Sequence, residues 1–227
     1  MVDSDPGTIF APRQLNSARR VLTRLLILCS LLVAVGWLVH DDQGRPIVRA
    51  IVEDYSKQRG IRLVGERWPA IFEAAKKEDL DPSLVAGIMW SESRGVSGRV
   101  SSIGALGLMQ LMLTAASDAA ERLGLEAPDH DTLLHDDALN LALGCNHLAW
   151  LRDSTPEWNA EALLVAYNTG RGRLLEWSQE AGSYQLWVAS QEIRHRAGRS
   201  MSPALLYARE TLRVRNAFRE QFAGDQR

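Results

Sequence analysis

The stretch DPSLVAGIMWSESRGVSGRVSSIGALGLMQLM, Asp81–Met112, decides the fold. Asp81 has the chemistry of a helix N-cap, and Pro82 takes the first helical position, where its missing N–H is not needed. The helix so opened is expected to run to about Ser93. Within it, Val85, Ile88, Met89 and Glu92 follow one another at spacings of three, one and three, so Glu92 continues the apolar stripe. Glu92 also lies in the last turn, at the negative end of the helix dipole. Desolvation and dipole both disfavour the ionised form, so its pKa is expected to rise. A carboxylic acid held protonated near neutral pH is what acid catalysis at a glycosidic oxygen requires. The competing reading is a boundary glutamate at a helix end with its carboxylate in water. Beyond it, Gly104 and Gly107 flank a tight approach before an apolar, Ala-rich stretch. That stretch is expected to be helical from just after Gly107 to about Leu123 and closed by Gly124.

The flanking segments also read as helices. Trp68, Ile71, Phe72 and Ala75 recur at helical spacing and predict a helix over 67–78. Further helices are expected at 137–152, 160–169, 184–196 and 203–221, with Asn159 and Ser202 as caps for two of them. No period-2 strand longer than four residues and no internal repeat is present. The expected domain is therefore all-α and roughly lysozyme-sized, over about 65–221, with a short tail at 222–227.

From Glu92 onward the motif resembles the catalytic segment of the soluble-type (SLT) lytic transglycosylases, relatives of goose-type lysozyme. The family pattern is a Glu-Ser pair, a serine nine residues after the glutamate, then Gly-Ala-x-Gly-Leu-Met-Gln. Ser101, Gly104, Ala105, Gly107, Leu108, Met109 and Gln110 all fall in register. Asn140-Leu141-x-x-Gly144-x-x-His147-Leu148 is similar to the family's Asn-Ile-x-x-Gly-x-x-Tyr-Leu helix. Ala166-Tyr167-Asn168-Thr169-Gly170 resembles its Ala-Tyr-Asn-x-Gly signature, and Glu210-Thr211 its terminal Glu-Thr block. The resemblance covers about 67–215. The chain departs from the pattern at Gly95 and Ser97, where an aromatic and a proline are usual, and at His147 and Val214, where tyrosines are usual.

The resemblance implies cleavage of the β-1,4 bond between N-acetylmuramic acid (MurNAc) and N-acetylglucosamine (GlcNAc) in peptidoglycan glycan strands, without water as nucleophile. Glu92 would protonate the glycosidic oxygen and then act as base on the muramoyl C6 hydroxyl, closing a 1,6-anhydro ring. One carboxylate serves both steps because they occur in sequence. Ser101 and Gln110 would hydrogen-bond the substrate near the scissile bond, and Met112 would line a sugar subsite. Tyr167 would orient the Glu92 carboxyl, Asn168 would bind an N-acetyl group or brace its loop, and Glu210 would pair with an arginine or assist at the site. The plain alternatives are a loop serine, a surface glutamine, a core methionine and a surface glutamate. Two rival functions stay open: a goose-type muramidase that hydrolyses the same bond, and a non-catalytic peptidoglycan-binding scaffold of a secretion apparatus.

Upstream, Leu25–Val39 contains no charge, and extending it to Val21–His40 gives about 30 Å of helix, enough to cross a bilayer. Arg24 can snorkel to the headgroups. Arg13, Arg19 and Arg20 precede the segment and Asp41 and Asp42 follow it, so positive-inside logic places residues 1–20 in the cytoplasm and the rest outside. The expectation is one transmembrane signal-anchor helix at 21–40 in the bacterial inner membrane. A 41–64 connector follows, with a short amphipathic helix formed by Ile47, Val48, Ile51, Val52 and Tyr55. A cleaved signal peptide competes, but no small-x-small site follows the apolar run.

Composition limits the remaining partners. The chain of 227 residues carries 26 Lys+Arg against 28 Asp+Glu, a net charge of −2 that gives nucleic acid no basic field to meet. Two cysteines, Cys29 and Cys145, exclude a disulfide-stapled scaffold. The His130, His135 and aspartate cluster at 129–137 reads as a solvated loop leading into a helix cap and not as a metal site. No cofactor and no metal is expected.

Overall fold

The computed structural model describes residues 13–40 and 44–224, and of these the side chains of 23–30, 32–37, 40 and 44–224. The chain divides into two compact units, Met1–Tyr55 and Ser56–Arg227. Eleven helices are described: α1 (Arg13–His40), α2 (Gly44–Gly65), α3 (Trp68–Lys77), α4 (Pro82–Ser93), α5 (Leu113–Arg122), α6 (His130–His135), α7 (Asp137–Ser154), α8 (Ala160–Thr169), α9 (Arg171–Ala181), α10 (Tyr184–Arg196) and α11 (Pro203–Gln221). Among the described residues the only β-type pairings are the isolated bridges Val100–Leu106 and Leu106–Leu111.

In the first unit, α1 exposes Leu25, Leu26, Ile27, Leu28, Leu32, Val33, Val35 and Trp37. Among the described residues no helix is long and apolar enough to cross a membrane. The described side chains of α1 form two apolar runs, 25–30 and 32–37. The flanking charges of Arg13, Arg19, Arg20, Asp41 and Asp42 lie outside the described side chains, as do residues 1–12 and 225–227 of the two expected tails. The expected short connector helix is instead α2, 22 residues long and crossing the division between the units.

The second unit is built around α4. Asp81 caps it, accepting from the Ser83 N–H at 2.9 Å, with Pro82 in the first turn. Leu84, Val85, Ala86, Ile88, Met89 and Trp90 are all buried, so α4 is covered on every side and not on one stripe. At about 1.5–3 kcal/mol for each fully buried large side chain, this one helix supplies a large share of the core's stabilisation. α11 lies antiparallel on it. A methyl at Gly87 would come within 2.9 Å of the Thr211 carbonyl oxygen, so only glycine admits this approach. One turn further, the Ser91 and Thr211 hydroxyls hydrogen-bond at 2.6 Å. α8 packs on the same α11, while α5 and α3 pack on α7.

The segment after Glu92 differs from expectation. Helix α5 begins at Leu113, not near Gly107, because 99–111 folds into a knot of turns. Ser101 N–H donates to Ala105, Gly107 N–H to Arg99, and Leu106 and Leu111 exchange both backbone bonds. The buried side chain of Asn140 on α7 clasps this knot. Its Oδ1 accepts from Met109 N–H at 2.8 Å, and its Nδ2 donates to the carbonyls of Leu106 and Leu133 at 3.0 Å each. Gly107, at φ +77°, touches that amide so closely that a Cβ would lie 2.2 Å from Nδ2. A helix through 107–112 would withdraw these groups from Asn140.

Smaller differences have local causes. α9 was not expected over 171–181, where Leu174 is the only buried side chain and apolar periodicity is weak. α6 forms because Asp129 caps it through Thr132 N–H at 2.7 Å, and Asp136 in turn caps α7 through Leu139 N–H at 2.9 Å. Asn159 caps α8 through Ala162 N–H at 2.9 Å, whereas Ser202 makes no side-chain cap and Pro203 opens α11 instead. Two departures from the family pattern are also accounted for. Gly95 lies where a side chain would meet Val64 of α2 at 3.0 Å. Ser97 donates to Asp137 Oδ2 at 2.5 Å and accepts from Arg67 Nη2 at 2.7 Å, tying the loop to α7.

Asn140→Ala leaves the buried Met109 N–H without a partner and removes a donor from the carbonyls of Leu106 and Leu133. The expected loss is about 2–4 kcal/mol of unfolding free energy, measured by urea denaturation.

Candidate active site

The last turn of α4 opens on a cleft of about 580 Å³. Its walls come from the 101–112 knot, the start of α5, His147 of α7 and the end of α8. Glu92 is the only acidic side chain among the described residues that line it. Burial pushes the Glu92 carboxyl up from its ordinary value of 4.5 to about 7. One interaction opposes this: the Tyr207 hydroxyl donates to Glu92 Oε1 at 2.7 Å, favouring the carboxylate. Tyr207 is partly buried, and desolvation of its phenol raises the pKa well above 10 and keeps it a donor.

The register of α11 on α4 places this bond. Tyr207 is one turn before Thr211, so the helix that meets Ser91 and Gly87 through Thr211 brings Tyr207 to Glu92. The sequence reading did not find Tyr207. The signal available was a tyrosine four residues before Thr211 of the Glu-Thr block, on the same helical face. Val214, where the family tyrosine is usual, is buried in the core.

The other named residues sort as follows. Ser101, Gln110, Met112, Tyr167 and Asn168 line the same cleft as Glu92. Ser101 Oγ accepts from Ala105 N–H at 2.8 Å, which leaves its own proton to donate. Gln110 adopts φ +48°, and its amide donates to the carbonyls of Gly107 at 2.8 Å and Arg99 at 3.1 Å. Its nitrogen therefore braces the knot. Met112 is partly exposed on the cleft wall, immediately before α5. The Tyr167 hydroxyl donates to the Met109 carbonyl at 2.9 Å, so in this structure the phenol bonded to Glu92 is that of Tyr207. Asn168 stands exposed at the rim. Glu210 is not among the lining residues; it pairs with Arg213 on its own helix.

No tryptophan lines the cleft among the described residues, and Trp90, nearest Glu92 in sequence, is buried with its Nε1 donating to Lys57 O at 3.3 Å. Among the described residues no group of three or more His, Cys, Asp or Glu side chains could hold a metal ion. In the 129–137 cluster, Asp129 and Asp136 are occupied as helix caps. The arrangement offers one acid poised near neutrality, a phenol fixing one of its oxygens, and neutral donors and apolar walls around it.

Comparison with known proteins bears on the family and the fold. Residues 69–189 match the family model described as the transglycosylase SLT domain. The membrane-bound lytic murein transglycosylase C of Actinobacillus pleuropneumoniae serotype 5b is 34% identical over 115 residues, covering 48% of this chain and 32% of that protein. A transglycosylase of Enterobacteria phage PRD1 is 33% identical over 118 residues, covering 52% of this chain and 39% of the phage protein. The chain thus spans about a third to two fifths of the length of these curated relatives. Among solved structures, an inactive glutamate-to-glutamine mutant of the lytic transglycosylase Slt from Pseudomonas aeruginosa superposes with a TM-score of 0.57 at 22% identity, covering 68% of this chain and 24% of that one. The 70 kDa soluble lytic transglycosylase of Escherichia coli gives 0.55 at 19% identity, over 68% and 24% of the two chains. At these identities the likeness is one of fold.

The Tyr207 bond makes a directional prediction. Followed by carbon NMR of the carboxyl, Glu92 should titrate near pH 7, and Tyr207→Phe should move that midpoint upward, because the carboxylate loses its donor. Tyr167→Phe should move it less, since that hydroxyl is bonded to Met109.

Proposed function

The chain belongs to the transglycosylase SLT domain family, and we propose that it is a lytic transglycosylase acting on peptidoglycan glycan strands. It cleaves the β-1,4 MurNAc–GlcNAc bond and leaves a 1,6-anhydroMurNAc end. The observation that carries this reading is the single carboxyl in the cleft, Glu92, buried to a pKa of about 7. The usual glycosidase scheme needs a second carboxylate, as nucleophile or as base for water. None of the described lining residues supplies one.

The proposed mechanism makes use of that arrangement. Oε1 is held by Tyr207, so the proton sits on the other carboxyl oxygen and is donated to the glycosidic oxygen as the C1–O bond breaks. GlcNAc leaves with that proton. Glu92, now a carboxylate stabilised by Tyr207, takes the proton of the muramoyl C6 hydroxyl, whose oxygen bonds to C1. No water is consumed, and Glu92 ends protonated for the next cycle. Ser101 donates from the knot, Met112 offers an apolar surface to a sugar ring, and Tyr167 and Asn168 complete the wall. Glu210 pairs with Arg213 and supports α11.

We also propose that Val21–His40 anchors the chain in the inner membrane with the catalytic unit, taken as 65–221, on the extracytoplasmic face. Three facts support this: the charge-free run in α1, the exposure of its described apolar side chains, and the membrane-bound naming of relatives. The partners implied are the glycan strands, the lipid bilayer and the cell-wall or secretion machinery that would use local opening of the wall.

Glu92→Gln keeps the shape of the side chain but cannot pass a proton in either direction. Turnover should fall by about 10²–10⁴-fold or more, while the variant folds normally and still binds sacculi. Mass spectrometry of digests by the unsubstituted protein should show anhydro ends. Reducing ends alone would establish a muramidase, and binding without either product a scaffold.

The anchor is tested separately. The protein should remain with membranes after a high-salt wash, with residues beyond 40 open to protease only from the outer face. A soluble chain beginning near residue 40 would show a cleaved signal.

A further inference from the structure

One polar side chain at the cleft takes part neither in the fold's hydrogen bonds nor in the chemistry at Glu92. His147 projects from α7 into the cleft wall. Its ring stacks on Trp150, with centroids 5.7 Å apart and planes 24° from parallel, and meets Tyr167 edge-on at 5.7 Å. These two neighbours fix the plane of the imidazole. Nδ1 is buried without a hydrogen-bond partner, whereas Nε2 is not enclosed in this way. Burial, reinforced by the Arg122 guanidinium and partly countered by Asp118, pushes the ring down to about 4. It is therefore neutral at working pH and carries one N–H and one lone pair. An orphaned buried N–H is rarer in folded proteins than an orphaned acceptor. The proton accordingly belongs on Nε2, and the buried Nδ1 keeps its lone pair.

We propose that His147 is a substrate-binding residue whose Nε2–H donates to the carbonyl oxygen of an acetamido group on the glycan. The match is chemical. Nε2–H can only donate and an acetamido carbonyl can only accept, whereas a sugar hydroxyl would bring a proton of its own. The acetamido methyl finds apolar neighbours in the same cleft, in Leu111, Met112 and Ala115. This assignment rests on reading the cleft as a site for N-acetylated glycans.

The test uses the full chain carrying Glu92→Gln, so that bound sugar is not turned over, and tetra-N-acetylchitotetraose as the probe, titrated by calorimetry. His147→Phe keeps a ring for Trp150 and Tyr167 but removes the donor. It should weaken binding about tenfold, the loss of one net hydrogen bond. Its melting temperature should equal or exceed that of the Glu92→Gln parent, because the nitrogen removed from the interior had no partner. His147→Gln restores an N–H and should recover most of the affinity. In the unsubstituted ring, nitrogen NMR should show the Nε2–H tautomer, with its signal shifting on addition of the tetrasaccharide.

Unchanged affinity in a well-folded His147→Phe protein, or an Nδ1–H tautomer, overturns the assignment while leaving the reading of the cleft intact. A Glu92→Gln parent that binds neither the tetrasaccharide nor sacculi overturns the reading of the cleft, and this assignment with it.

Discussion

The site depends on the desolvation of one carboxyl group, and that desolvation depends on the docking of α11 against α4. The two helices approach closely because Gly87 has no side chain opposite the Thr211 carbonyl. The Ser91–Thr211 hydrogen bond fixes their register. Tyr207 then falls on Glu92, covering it and supplying its one side-chain hydrogen bond among the described residues. Burial raises the carboxyl pKa and the phenol lowers it, and the balance leaves Glu92 near 7. A group at that value can both give and take a proton at neutral pH, which a one-carboxylate mechanism demands.

The second support is the clasp of Asn140 on the knot at 99–111. A polar side chain in a core is costly unless each of its groups is satisfied. Asn140 meets that condition with backbone groups of Leu106, Met109 and Leu133. Gly107 makes room for its amide, and Gly144 makes room for Met109, which a Cβ there would strike at 2.7 Å. The cleft wall is in this way anchored to α7, the same helix that carries His147. Met109 links the two sides, since its carbonyl also accepts from Tyr167. The motif residues Gly107, Leu108, Met109 and Gln110 thus hold the wall in place more than they reach into the cleft.

Legibility in the sequence varied with the range of the forces involved. The cap Asp81-Pro82 and the apolar content of α4 are local, and the helix was read to its last residue. α7, α8, α10 and α11 were read closely for the same reason. α9 and α6 were not, because α9 buries only Leu174 and α6 is one short helix held by the Asp129 cap. The expected helix at 107–112 failed because its Leu and Met residues follow a helical pattern while their backbone groups bond to Asn140, some thirty residues away.

The sequence alone determined an all-α domain, placed Glu92 at the end of a buried helix, and carried the SLT motif with the residues that line the cleft. The first two follow from spacing and residue chemistry along the chain, and the last from its resemblance to the family pattern. The tertiary structure alone decided which tyrosine meets Glu92, that Gln110 and Tyr167 bond to backbone of the knot, that Glu210 pairs with Arg213 away from the cleft wall, and that His147 lines the cleft with its Nδ1 buried and unpartnered. Each of these depends on how distant helices face one another. Helical periodicity fixes the face on which a side chain lies, whereas its partner is set by close packing at contacts such as Gly87–Thr211 and Gly107–Asn140.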